Sequence, residues 1–113
     1  MRRPGGLRAL ELVEEPDPVP GPGQLRVAVR ASGVNYADLP VRMGLYAAAR
    51  GQYPLTPGFE FSGVVDALGD GSSRFAEGQR VFGITRFGGY ADGIVADASY
   101  VFPCPDGWTF EDC

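Results

Sequence analysis

Leu25, Val27, Val29 and Ala31 fall on alternate positions with Arg26 and Arg30 between them. That two-residue period predicts a half-buried strand over Leu25–Ala31. Phe61–Leu68 and Gln79–Thr85 read as two more strands, separated by the turn run Gly69-Asp70-Gly71-Ser72-Ser73. Tyr90–Ala96 and Ser99–Phe102 are further β candidates after Gly88-Gly89, and Leu10–Val13 is a short one near the start. Beyond Gly33 the period lengthens. Leu39, Met43 and Tyr46 recur at helical spacing, which predicts a short helix from about Asn35 to Met43 with Asn35 as N-cap. Pro40 conflicts with that start, because a proline past the first turn forfeits a hydrogen bond and clashes; a start near Ala37 or Asp38 removes the conflict. Pro16 to Gly23, with four prolines and two glycines, is a stiff surface connection. Short strands punctuated by turns, with no βαβ pattern, predict an all-β antiparallel barrel or sandwich carrying short helices.

The C-terminal stretch adds a separate expectation. Pro105-Asp106-Gly107 is a turn, and Thr109 followed three residues on by Asp112 matches a capping box, which opens a helix. A helix start at Thr109 in a chain ending at Cys113 gives the expectation of a truncated chain.

Composition narrows the chemistry more than the fold. The 113 residues suit one domain, and the formal net charge of −4 argues against a nucleic-acid or anionic-membrane surface. No run approaches the ~18 apolar residues of a membrane span, and no signal-peptide core follows Met1, so the expected location is cytoplasmic. All ten cations are arginine, and there is no histidine. A Ser-His-Asp triad, a Cys-His pair and any histidine-containing zinc site are therefore excluded within the chain. Cys104 and Cys113 have no metal-ligand spacing; two free thiols are expected in a reducing cytosol, with a disulfide as the alternative. Gly69-Asp70-Gly71 is a turn and not a dinucleotide fingerprint, because Arg74 stands where the third glycine belongs.

One ordered set of motifs is specific. Ala31 to Tyr46 carries Gly33-Val34-Asn35-Tyr36-Ala37-Asp38 and Gly44-Leu45-Tyr46, followed by Pro57-Gly58-Phe59-Glu60-Phe61 and by Gly78-Gln79-Arg80-Val81. With Pro18 to Gln24 before them and Phe102 to Gly107 after, they resemble the GroES-like catalytic domain of the medium-chain dehydrogenase/reductase superfamily, over roughly residues 5 to 113. The resemblance implies a partly open β-barrel. Zinc alcohol dehydrogenases of that superfamily carry Cys where this chain has Asn35, and Gly-His-Glu where it has Gly58-Phe59-Glu60. An amide and a phenyl ring are not zinc donors, so no metal is expected and the zinc-independent quinone oxidoreductase branch fits best. Thr85 to Ala91 adds a similarity to vesicle amine transport protein relatives of that branch.

In that branch NADPH delivers hydride to a quinone or an α,β-unsaturated carbonyl. By resemblance, Asn35 binds the nicotinamide ribose region, and Tyr46 is the catalytic donor to the oxygen that becomes negative, with Tyr36 and Gly44 beside them. Other readings stay open: Asn35 as a helix cap, Tyr46 as a core residue, Tyr36 as a packing residue. Asp38 reads as a first-turn acid favoured by the helix dipole, and Glu60 as a buried carboxylate paired with an arginine, with Arg42 or a residue beyond this chain as its partner. Two features depart from the family. The first barrel strand is reduced to Pro4-Gly5-Gly6, and the Rossmann half that would hold most of NADPH is absent from this chain. Residues 1–113 alone are thus expected to be inactive, a catalytic domain whose partner is a small-molecule quinone or enone. The resemblance also allows a homodimer. An enoyl-thioester reductase domain and a non-catalytic GroES-like interaction module are the alternatives.

Overall fold

The alternation in Leu25–Ala31 sets an interior strand of the sheet. Strand β1 spans Gln24–Ser32, and its Leu25 and Val27 are fully buried on one face. The computed structural model describes residues 1–72 and 74–113, so Ser73 of the predicted turn run lies outside the described residues. Four more strands follow, β2 (Glu60–Leu68), β3 (Arg80–Ile84), β4 (Gly93–Asp97) and β5 (Val101–Pro103). All pairings are antiparallel, in the order β4-β1-β2-β3-β5. Because β4 and β5 do not pair with each other, the barrel is partly open, as expected for this fold class.

Register brings the inner faces together. Leu25 stands opposite Leu68 and Ala96, and Val27 opposite Val65 and Ile94. Phe61, Val81 and Val101 extend the same core, and Phe75 joins it from the connection between β2 and β3. Burying each such Val, Leu or Phe side chain contributes about 1.5–3 kcal/mol. The β1–β2 ladder shifts register between Arg26 and Val27 and again between Val29 and Ala31. Such irregularities bend long strands, which lets a five-stranded sheet curl. The two strands approach so closely at Gly63 that a Cβ there would lie 2.1 Å from the Ala28 carbonyl oxygen.

Several boundaries differ from expectation for identifiable reasons. Leu10–Val13 is irregular and Leu12 wholly exposed; no neighbouring strand pairs with it among the described residues, and an unpartnered strand has nothing to hold it. The helix α1 covers Asp38–Met43, so the later start is the correct one, and Asn35 is not its N-cap. Pro40 then falls in the first turn, where its missing N–H is no loss. Ser99 does not begin a strand because Asp97 accepts its N–H at 2.9 Å, closing a 3-10 turn over Ala98–Tyr100 ahead of β5.

The capping-box bonds form: the Thr109 hydroxyl accepts the Asp112 N–H at 3.2 Å and Asp112 Oδ2 accepts the Thr109 N–H at 3.4 Å. This turn carries Cys113 back to Cys104. The two are disulfide-bonded with Cα atoms 5.9 Å apart, which corrects the expectation of free thiols.

Candidate functional site

Two glycines fix the geometry around α1. The run Thr56–Phe59 leading into β2 is zipped to the loop Thr85–Tyr90 by backbone bonds. Gly88 N–H donates to Thr56 O at 2.7 Å, Gly89 N–H to Gly58 O at 3.1 Å and Tyr90 N–H to Pro57 O at 2.9 Å. Gly58 has φ +105°, and a Cβ there would stand 2.7 Å from the Tyr90 nitrogen, so only glycine fits. Ser32, at the end of β1, donates its hydroxyl to the Gly89 carbonyl. These ties aim the Tyr90 ring at α1.

There it meets a buried acid. Asp38 is 7% exposed, and its Oδ2 accepts both the Tyr90 hydroxyl at 2.7 Å and the Asn35 backbone N–H at 2.8 Å. The Asp38 N–H returns a bond to the Asn35 carbonyl at 3.0 Å, closing a tight loop before the helix. Among the described residues two buried polar atoms are left without a protein partner, Asn35 Nδ2 and Asp38 Oδ1. One donor and one acceptor therefore stand free in the same short segment. An unpartnered buried polar group costs about 1–3 kcal/mol, and such groups concentrate where a ligand completes them.

Burial first, and then the bond to Asp38, push the Tyr90 phenol up from 10.0 to about 12. The folded state thus holds this proton more tightly than the unfolded chain. Its stabilising contribution is fully present below pH 10 and is lost as pH rises through about 12. Alkaline titration followed at 295 nm is expected to show one late tyrosine step that disappears in Tyr90→Phe; identical late limbs in the two proteins would refute the assignment.

Tyr46 lies just past α1, its N–H bonded to Pro40 O at 3.2 Å. Its ring packs edge-on against Phe59 at 5.9 Å between centres, and Phe59 packs in turn on Phe87, also at 5.9 Å. The hydroxyls of Tyr53 and Tyr90 are engaged by Val41 O and Asp38, whereas that of half-buried Tyr46 has no partner among the described residues.

Tyr36 is 89% exposed. Gly44 ends α1 with φ +78°, and a Cβ there would lie 2.8 Å from Pro4, so the structure gives it a backbone task. Asn35, Tyr36, Gly44 and Tyr46 thus share one stretch of chain, yet no hydrogen bond joins their side chains among the described residues. A cleft of about 770 Å³ is lined by Ser32, Val34, Pro57 and Tyr90 together with residues 10–13 and 15–18; none of the four lines it.

Sequence reasoning missed Tyr90, which it took for a strand residue, and undervalued Asp38. The only local signal was an Asn and an Asp three apart. Glu60 corrects a further expectation: it is exposed, its side chain lies over Gly33, and among the described residues no arginine pairs with it. β2 begins at Glu60 with that side chain on its outer face. Arg42 bonds the Gly5 carbonyl at 3.1 Å.

Residues 21–106 match the alcohol dehydrogenase GroES-like domain. The chain belongs to that family. This GroES-like domain is 40% identical over 110 residues to the human synaptic vesicle membrane protein VAT-1 homolog, covering 96% of this chain and 28% of that protein. It is 44% identical over 95 residues to pikromycin polyketide synthase component PikAII of Streptomyces venezuelae, covering 84% of this chain and 2% of that protein. The Escherichia coli quinone oxidoreductase complexed with NADPH superposes with a TM-score of 0.91 at 28% identity, over 97% of this chain and 33% of that one. The domain is therefore a part of the medium-chain dehydrogenase/reductase superfamily of oxidoreductases. It spans about a third or less of the length of these relatives. Among the described residues no helix is long and apolar enough to cross a membrane, and no three His, Cys, Asp or Glu side chains gather as metal ligands.

Proposed function

We propose that this domain is the substrate-side half of a zinc-independent, NADPH-dependent oxidoreductase that reduces a quinone or an α,β-unsaturated carbonyl. The observation that carries the reading is the free Tyr46 hydroxyl against Phe59, where zinc-dependent relatives carry an imidazole ligand. Neither Phe59 nor Asn35 supplies a thiolate, imidazole or carboxylate for zinc, and Asp38, whose Oδ2 holds Tyr90, is a single carboxylate where a catalytic zinc takes three protein ligands. A metal-free carbonyl reduction needs another way to stabilise the oxygen that gains charge, and a positioned phenol supplies it.

The unpartnered Asn35 Nδ2 suits a polar cofactor group such as the nicotinamide ribose region. NADPH, when bound, supplies the hydride. Tyr46 would donate a hydrogen bond from its hydroxyl to the substrate carbonyl oxygen, and Asn35 would orient the cofactor edge, with Tyr36 and Gly44 beside them along the chain. Tyr90, through Asp38, keeps the Asn35 loop in place. The pyrophosphate and adenosine would be held by a separate nucleotide-binding half.

The likeness to a polyketide synthase component supports a second reading, reduction of an enoyl thioester. Activity tests separate the possibilities. The domain joined to a nucleotide-binding half is expected to oxidise NADPH with a quinone or enone, to lack stoichiometric zinc after dialysis, and to be indifferent to chelators. Preference for an enoyl thioester would select the second reading. Retained zinc, or no turnover with either substrate class, would sink the proposal.

A further inference from the structure

The turn from Asn35 to Asp38 leaves its hydrogen-bonding capacity unmet in a specific pattern. Asp38 spends one carboxylate oxygen on two donors: Oδ2 accepts the Asn35 N–H at 2.8 Å and the Tyr90 hydroxyl at 2.7 Å. Its other oxygen, Oδ1, accepts nothing among the described residues, and Asn35 Nδ2 likewise donates to nothing. No arginine forms an ion pair with Asp38 among the described residues. The carboxylate is held in this pose from its far side, because the Tyr90 N–H is itself tied to Pro57 O at 2.9 Å. Val34 and Tyr36, on either side of Asn35, are 83% and 89% exposed, so the unpaired donor and acceptor lie just beneath the surface.

This arrangement limits what the turn can take. A phosphate or carboxylate is excluded, since it would face a buried carboxylate with no cation beside it. A ketone would satisfy Asn35 and leave Oδ1 unpaired. The group must donate and accept at once while uncharged, and a hydroxyl does both through one oxygen, in the least space.

We propose that Asn35 Nδ2 and Asp38 Oδ1 together bind one ligand hydroxyl, Nδ2 donating to its oxygen and Oδ1 accepting its O–H. On the reading of the domain as half of an NADPH-dependent oxidoreductase, on which this inference rests, the hydroxyl belongs to the nicotinamide ribose. Asp38 is then a specificity-determining residue as well as a brace for the loop. Any acceptor would content Asn35; only a donor contents Asp38. Removing the hydroxyl leaves both protein atoms unpaired again, which is what makes the pair selective.

Binding, and not turnover, tests this in the polypeptide that joins the domain to a nucleotide-binding half. Calorimetry compares NADPH with analogues lacking the 2′- or the 3′-hydroxyl of the nicotinamide ribose, and with the 3-acetylpyridine analogue, which lacks the carboxamide N–H. One of the two deoxy analogues is expected to bind about 10- to 100-fold more weakly than NADPH. Asp38→Asn keeps an amide oxygen for Tyr90 and the Asn35 N–H, and turns the free acceptor into a donor. It should weaken NADPH binding and abolish the deoxy penalty, whereas a purely structural role would weaken all the cofactors alike. Asn35→Ala leaves the bonds of Asp38 in place and should shrink the same penalty, so the prediction holds even where Asp38→Asn does not fold. Equal affinity of the parent for NADPH and both deoxy analogues would overturn the proposal, as would a penalty undiminished in either variant. A penalty of the acetylpyridine analogue that vanishes in Asp38→Asn would give the pair to the carboxamide and overturn the hydroxyl assignment. Each of these outcomes leaves the oxidoreductase reading standing; a parent that binds no NADPH would remove both.

Discussion

Replacing Tyr46 with phenylalanine, in a polypeptide joining this domain to a nucleotide-binding half, is expected to slow hydride transfer about 100-fold, the usual loss for one donor to a developing oxyanion. The ring would stay where it is, since its edge-on contact with Phe59 uses carbon atoms alone and the hydroxyl has no protein partner to lose. Stability should therefore hardly change, and substrate binding should weaken less than turnover. Single-turnover NADPH oxidation with a quinone or enone measures the step directly. A rate within about threefold of the parent would remove Tyr46 from the chemistry and leave it as a packing residue.

The second large effect is structural. Asp38→Ala deletes an acceptor shared by the Tyr90 hydroxyl and the Asn35 N–H, leaving both donors unpaired in a mostly buried place. Burying the carboxylate has its own desolvation cost, so the loss is less than the sum of two charged hydrogen bonds. A net destabilisation of about 3 kcal/mol follows, a large part of the ~5–15 kcal/mol that holds a domain of this kind. Urea unfolding of Asp38→Ala, Tyr90→Phe and the double variant provides the check. The two changes should be clearly less than additive, with a coupling of about 1–2 kcal/mol. Additive effects, or a loss below about 1 kcal/mol for Asp38→Ala, would mean that the carboxylate bridges nothing of consequence.

Strand positions were legible in the alternating run Leu25–Ala31 and in the apolar, turn-bounded run Phe61–Leu68. Leu25–Ala31 and Phe61–Leu68 fall within β1 and β2 because each has a neighbour on both sides. Leu10–Val13 has the same local look and no pairing partner, and local pattern carries no information about partners. The candidate site was legible at Asn35 and Tyr46, which sit in one motif, and illegible at Tyr90. The bond between Tyr90 and Asp38 spans 52 positions and depends on the glycine-lined contact between Thr56–Phe59 and Gly88–Tyr90, which only the fold creates. The cysteines were read as free thiols with a disulfide as the alternative, because the turn at Thr109 that carries Cys113 back to Cys104 leaves no signal in their spacing.

The order of the strands has a consequence for how the domain comes into being. β1 is an interior strand, yet one of its two neighbours, β4, is Gly93–Asp97, so Gln24 pairs with Asp97 only after the whole stretch between them has been made. An N-terminal half emerging from the ribosome would present Leu25 and Val27 with an open flank, and no stable intermediate could form around them early. Folding of the sheet must wait for a late, long-distance closure, which puts a β-rich domain of this topology on the millisecond-to-second scale (~10⁻³–1 s). During that wait the exposed β1 edge is the place where chaperones would bind and where misassembly would begin.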